Sequence, residues 1–420
     1  MARLQQVWND IMLFSLLFCY VFAFYIGPIS TSLIIALPLY CCVFFQRTYW
    51  RNFVSVISTP LIREVSKVWF FIVFLSLLFP ILYQTYDYTF FRVVVVQGIH
   101  LLAAFPVFTY LKTSGVTSNK VERFFVYIFV TQTIIQLIVV SNDTLGTVVL
   151  AFNHYEPDEV SGIGSNIRGK ALSAATTYHL TLAYGIGFII YLKSMLSVRV
   201  SLWHVLVGIL IFTGIFFAGR SGFVGCLIGV IFFLFYRNDS IKRKVIGLVY
   251  GLFLIVLCIV LLLYGLSQFA PEYYDLLETQ VFPYAFEFFY SLEKSGEMET
   301  ASTNQLVGMW NQDFDFMELI LGCGKYSNLD GSYYMYVDPG ILRHLLFMGV
   351  FGYIVLIVYQ LCIIPFWKMK RIDKAYGMCI FLFILLMDFK GVTLGVNKFM
   401  FAIPLLLSFS CLYLHHKASD

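Results

Sequence analysis

The sequence predicts an all-α polytopic membrane protein. Hydrophobic residues make up 60% of its 420 positions, charged residues only 12%, and the apolar residues gather in runs long enough to cross a bilayer. A soluble domain carries roughly 25% charged residues; here 28 basic and 24 acidic side chains are too few to cover a water-soluble surface of this length. A soluble enzyme and a disordered chain are thereby excluded. The net charge of +4 is dispersed along the chain, so no electrostatic footprint for DNA or RNA exists and nucleic acid is not an expected partner.

A spanning helix needs about 20 mostly apolar residues. Twelve segments answer to that, at 11–27, 29–45, 68–83, 90–111, 124–140, 172–192, 202–218, 221–236, 245–265, 340–364, 376–392 and 396–414. The first two meet at Gly27-Pro28, and no small-residue cleavage site follows, so the first is read as an uncleaved span. The third contains Pro80, the fourth Pro106, the sixth Gly185 and Gly187, and the twelfth Pro404, while Pro365 follows the tenth. Such breakers are tolerated where neighbouring helices satisfy the freed backbone groups.

Lys and Arg in short loops set the orientation. With the N-terminus in the cytoplasm and alternating spans, 19 of 28 basic residues fall on the cytoplasmic side and 18 of 24 acidic ones outside. Both termini are then cytoplasmic. The chain divides into spans 1–9 over 1–265 (with an outer segment at 141–171), a large outer loop at 266–339, and spans 10–12 over 340–420. Loops beyond about 12–15 residues are usually functional or disordered. Within the large loop, Pro271–Leu292 reads as a helix lying at the interface and Thr303–Leu321 as a second amphipathic helix.

Weak motifs add little. Eight of nine cysteines lie in spans, which leaves Cys323 without a disulfide partner in its loop, and no zinc-type spacing occurs. Gly322-Cys-Gly-Lys325 lacks the spacing of a phosphate loop and reads as a tight turn. Asp313-Phe-Asp315 reads mainly as the polar face of a loop helix, although its spacing is that of a metal-binding carboxylate pair.

Nine basic residues fall on the outer side, where topology disfavours them: Arg92, Arg168, Lys170, Arg220, Lys294, Lys325, Arg343, Lys390 and Lys398. Lys294, Lys390 and Lys398 are explained by snorkelling to headgroup phosphates. Arg92 and Arg343 sit just inside their spans and need a partner; Asp87, Asp388 or a ligand phosphate each qualify. Arginine binds phosphate through a planar fork, unlike the point charge of lysine. Arg220 lies in the tight turn Ala218-Gly-Arg-Ser-Gly222, where the start of the next span would direct free N–H groups and a positive dipole outward.

The order of the Ala218–Gly222 turn, the large outer loop, Leu319-Ile-Leu-Gly-Cys-Gly324 and Asp338-Pro-Gly-Ile-Leu-Arg-His-Leu-Leu-Phe-Met-Gly349 resembles the Wzy-type O-antigen polymerases, relatives of the O-antigen ligases. The architecture is similar along the whole chain and the motifs are confined to about 217–352. The resemblance implies a glycosyltransferase of GT-C-like architecture in the bacterial inner membrane, facing the periplasm. It also implies lipid-pyrophosphate binding at Arg220. Ligases carry a histidine separated by ten residues from a glycine; here Asp338 stands in that relation to Gly349, which leans towards a polymerase. A family arginine before the G-x-G turn is absent, with Gln305 in roughly its place.

The implied reaction transfers a growing glycan from undecaprenyl pyrophosphate to the non-reducing sugar of a new undecaprenyl-pyrophosphate-linked repeat unit. No metal and no cofactor are expected, and a chain-length-regulating co-polymerase is the implied protein partner. Arg220 and Arg343 are the first candidates for the phosphate cradle, with Arg168, Lys170 and Arg92 second. Asp338 is the first candidate base and His344 the second. Trp310, Tyr326, Tyr333, Tyr334 and Tyr336 either stack on sugars or belong to the membrane interface. The alternatives are a lipid-linked oligosaccharide flippase or another transporter, and an O-antigen ligase.

Overall fold

The computed structural model describes residues 2–153, 170–175, 177–196, 198, 201–237, 300–395 and 397–414, with scattered positions between 257 and 296. The chain is mostly helical. In order come α1 (Ala2–Phe22), a minimal hairpin of β1 (Tyr25–Ile26) and β2 (Ile29–Ser30), α2 (Thr31–Phe45), α3 (Arg47–Ile57), α4 (Pro60–Leu82), α5 (Thr89–Thr113), α6 (Ser118–Ser141) and α7 (Asp143–Leu150). There follow α8 (Thr177–Ser194), α9 (Leu202–Ala218), α10 (Gly222–Tyr236), α11 (Pro271–Leu276), α12 (Phe282–Ala285) and α13 (Glu287–Ser295). The last are α14 (Ala301–Trp310), α15 (Phe316–Leu321), α16 (Gly340–Ile363), α17 (Arg371–Asp388) and α18 (Lys398–Tyr413).

Helices occupy eleven of the twelve predicted apolar segments; 245–265 lies almost wholly outside the described residues. By length and composition, four described helices could cross a membrane: α4, α5, α6 and the one beginning at Gly340. The pair α2–α3, bent by 112°, counts as a fifth if taken as one span, and α9, α10 and α18 are shorter apolar helices. The outward surface suits lipid. Phe70, Phe71, Phe74, Leu78 and Leu82 all stand exposed on α4, an apolar face that water would not tolerate.

At the centre is α18, whose residues Phe399 to Ser410 are buried without interruption. A helix apolar on every side belongs inside a bundle. It touches α1, α5, α6, α8, α16 and α17. Helices α8 and α10 approach through small residues: a Cβ on Gly225 would stand 2.6 Å from the Gly185 Cα. Such small-on-small contact brings two backbones together where lipid supplies no hydrophobic drive.

One local expectation is corrected. Segment 303–321 is two helices, because Asp315 accepts a hydrogen bond from Met317 N at 2.9 Å and so starts α15 afresh as its N-cap. Pro271–Leu292 is described only in part, as the helical pieces α11, α12 and the start of α13, and its continuity lies outside the described residues. The stretch after span 2 holds α3.

Candidate functional site

Two glycines build the frame of the site. Gly349, at φ +66° and ψ −173°, interrupts α16 and frees the carbonyls of Leu346 and Phe347 from their usual helical partners. The chain leaving α15 takes them up: Cys323 N donates to Leu346 O at 2.7 Å and Gly324 N to Phe347 O at 3.1 Å. A Cβ on Gly322 would lie 2.7 Å from Gly349 N and from Phe347 O, so only glycine fits this crossing. The two glycine-containing motifs singled out in the sequence thus lock to each other.

The loop that follows is fastened by Asp87, in the α4–α5 connection. Its carboxylate accepts from Tyr326 N and Ser327 N, both at 2.6 Å, and from Ser327 Oγ at 3.1 Å. Thr89 N adds a bond at 3.0 Å, and Thr85 Oγ1 donates to Gly324 O at 2.6 Å. Burial pushes the Asp87 carboxyl up, but the donors from Thr89, Ser327 and Tyr326 outweigh it and hold the pKa below the usual carboxylate value. Asp87 is therefore committed to the loop and forms no ion pair with Arg92 or Arg343.

Beyond Ser327 the chain turns back, with Asn328 N donating to Ser332 O and Ser327 bridging Tyr333. Tyr326 and Tyr333 consequently enclose Arg343, in the first turn of α16. The guanidinium carbon lies 4.2 Å from the Tyr326 ring centroid and 3.4 Å from that of Tyr333. Arg343 is only 7% exposed, and its Nε is buried with no hydrogen-bond partner among the described residues. No described carboxylate forms an ion pair with it. A buried donor left unmatched costs about 1–3 kcal/mol, so the arrangement favours an incoming acceptor.

Asp338, five positions earlier, remains accessible. Crowding by the loop raises its pKa above the ordinary carboxylate value, while the charge of Arg343 pulls the other way. Such a group, accessible and shifted towards neutrality, suits proton transfer. His179, which sequence reasoning overlooked, lies within electrostatic range of Arg343. Asn397 Oδ1 caps α18 at Phe399 N and Met400 N, so its amide nitrogen faces His179 Nδ1 at 2.7 Å. His179 Nδ1 therefore accepts, leaving the neutral ring's proton on Nε2.

The other candidates are placed differently. His344 is fully buried beside Phe90, Tyr326 and Tyr353, and neither ring nitrogen has a described partner, with the Leu394 backbone nearby. A ring so enclosed cannot reach an external hydroxyl. Asp388 accepts from Thr393 N at 2.9 Å, Thr393 Oγ1 at 2.8 Å and Leu394 N at 3.2 Å, and so pins the turn after α17 instead of pairing with an arginine. Trp310 spends its indole N–H on Phe389 O at 3.2 Å. Tyr334 packs beneath Lys325, whose ammonium lies 5.4 Å from its ring, and Tyr336 stands exposed.

Arg220 pairs with Glu287 at 2.8 Å, a partner that the sequence did not suggest. The amides at the start of α10 are not open as expected: Gly222 N donates to Thr181 Oγ1 at 3.2 Å, Phe223 N to Arg220 O and Val224 N to Ser221 O. Thr181 Oγ1 also donates to Gly219 O, so the turn is fastened onto α8. Arg92 is exposed on α5, Lys170 is half-buried with partners, and Arg168 lies outside the described residues, as does the side chain of Lys294. Lys398 does not snorkel; it turns inward and donates to Ala23 O at 3.2 Å.

No family model matches the chain, and none of the curated proteins is significantly similar to it.

Proposed function

We propose that the protein is a membrane glycosyltransferase that polymerises lipid-linked polysaccharide repeat units on the face bearing residues 323–339. The observation that carries this reading is Arg343, a buried cation held between Tyr326 and Tyr333 with an unmatched Nε, close to the accessible Asp338. The donor is the growing glycan on undecaprenyl pyrophosphate. A hydroxyl on the non-reducing sugar of the acceptor repeat unit attacks the donor's anomeric carbon. The bond from that carbon to the pyrophosphate oxygen breaks, the pyrophosphate leaves with the electron pair, and Asp338 takes the hydroxyl proton. Arg343 offsets the charge that develops on the leaving group, as preorganised donors do in a site shielded from water. In this reading the site faces the periplasm of a bacterial inner membrane, twelve spans carry it, and the co-polymerase acts from outside the chain.

A second reading, transport of a lipid-linked oligosaccharide, is favoured by one observation. Lys193 Nζ lies 2.5 Å from Glu122 and 2.6 Å from Asp373, a buried charged cluster at the opposite ends of the helices. Buried ionisable groups in membranes mark ion pathways in many transporters. Purified protein given synthetic lipid-linked repeat units decides between them. Laddered glycan products without lipid A support the polymerase, a single transfer that requires lipid A supports a ligase, and lipid movement across vesicles without product supports transport.

A further inference from the structure

We infer that α3 and the end of α5 form a binding surface for anionic phospholipid headgroups, on the face opposite the candidate site. The inference is independent of the reaction proposed above. The α5 helix, 25 residues and so about 37 Å long, joins the two faces. Its first turn carries Thr89, bonded to Ser327 of the site loop, and its last carries Lys112 and Thr113. At that far end Lys112 Nζ donates to Ser55 Oγ at 2.7 Å and Asn52 Nδ2 to Thr113 Oγ1 at 2.9 Å, which fixes α3 in place.

The bend of 112° from α2 turns α3 across the direction of the apolar helix before it. Its exposed residues sort into arcs at a helical period. Trp50, Val54 and Ile57 are large, apolar and exposed on one side. Exposed Thr48 and Ser55 share the polar side with half-buried Asn52. Arg47 and Arg51, both exposed, fall at the boundary between these arcs. A helix lying in a membrane interface has this order, with apolar side chains in the acyl region and basic ones at phosphate depth.

The arginines have no internal counter-charge. The sequence contains no acidic residue from position 11 to position 63, and among the described residues neither arginine forms an ion pair. The acids closest in sequence are already engaged: Asp10 pairs with Lys120 at 2.5 Å, and Glu64 with Lys67 at 3.2 Å. Among the described residues, therefore, no acid balances these two guanidinium groups. At that depth, the source of negative charge is the phosphate of a lipid headgroup in the same leaflet.

The test uses Trp50 as the reporter, in the full-length protein reconstituted in vesicles of zwitterionic phosphatidylcholine. Brominated phosphatidylglycerol or brominated phosphatidylcholine is titrated in, and the quenching component lost in Trp50→Phe is taken as local. The expected result is a preference for the anionic lipid that falls about five- to thirty-fold in Arg47→Gln/Arg51→Gln, the size expected of one or two basic residues near a charged surface. It should survive in Arg47→Lys/Arg51→Lys. Equal quenching by both lipids in the wild type, or an unchanged preference in the glutamine variant, overturns the inference. So does full displacement by millimolar inorganic phosphate, which would mean a soluble anion site.

Discussion

The guanidinium carbon of Arg343 lies 3.4 Å from the ring centroid of Tyr333 and 4.2 Å from that of Tyr326. The two rings remove the cation from water without supplying a hydrogen-bond acceptor. Such stacking contributes about 0.5–2 kcal/mol, less than a charge-assisted bond to phosphate. Tyr333→Ala should therefore leave the fold intact and weaken donor binding about two- to thirty-fold. Tyr333→Phe should keep wild-type affinity. Titrating purified variants with undecaprenyl pyrophosphate checks this, and equal binding by the alanine variant would refute a positioning role.

Asp87 controls the same loop from the α4–α5 side, through donors on Tyr326 and Ser327. Hydrogen bonds to a charged group contribute about 1.5–3 kcal/mol each, so Asp87→Ala should destabilise the protein by at least about 2 kcal/mol. The sign with pH follows from its lowered pKa. Stability from this group is present above the unfolded value of about 4 and is lost as pH falls through the lower folded value. Thermal unfolding from pH 6 to pH 3 should show that loss in wild type and not in Asp87→Asn.

Asp338 shifts the other way, raised by partial desolvation although the residue stays accessible. A base must be ionised, so chain extension should fall as pH drops through its pKa, with a midpoint above the ordinary carboxylate value of about 3.9. Asp338→Asn should lose about 10²–10⁴-fold in rate. Asp338→Glu should retain an acid limb at a displaced midpoint. An unchanged limb in the asparagine variant would assign the titration elsewhere.

Gly349 and the Lys193 cluster test the frame. At φ +66° and ψ −173° a side chain is strained, and here it would also meet the Ile320 carbonyl, so Gly349→Ala should cost at least about 2 kcal/mol. Removing Lys193 strands Glu122 and Asp373 together, and Lys193→Ala should cost about 3–5 kcal/mol. Lys193→Ala with Glu122→Gln should recover part of that loss, and unfolding midpoints in detergent report both.

Much of the helical framework was legible because a 3.6-residue helix in lipid has to be apolar along its length, as at Leu202–Ala218. Arg343 was legible as a cation at the edge of an apolar segment, where an arginine needs a partner. Its tyrosine walls were not, because a loop pinned by Asp87 brings them to it and no periodicity encodes that contact. His179 was hidden for the same reason: its partner Asn397 is remote in sequence. The turn at Arg220 misled because small residues signal an open backbone and tight helix packing equally well, and Thr181 occupies the Gly222 amide. The break at Asp315 was overlooked because an apolar period runs across it while the side-chain cap acts locally.

The most direct test of the account is chain extension by Arg343→Ala, measured as glycan ladders from synthetic lipid-linked repeat units with protein shown to be folded. Loss of leaving-group stabilisation predicts a fall of about 10²–10³-fold in turnover, with only partial recovery in Arg343→Lys. Full-length ladders at the wild-type rate from the folded alanine variant would contradict it.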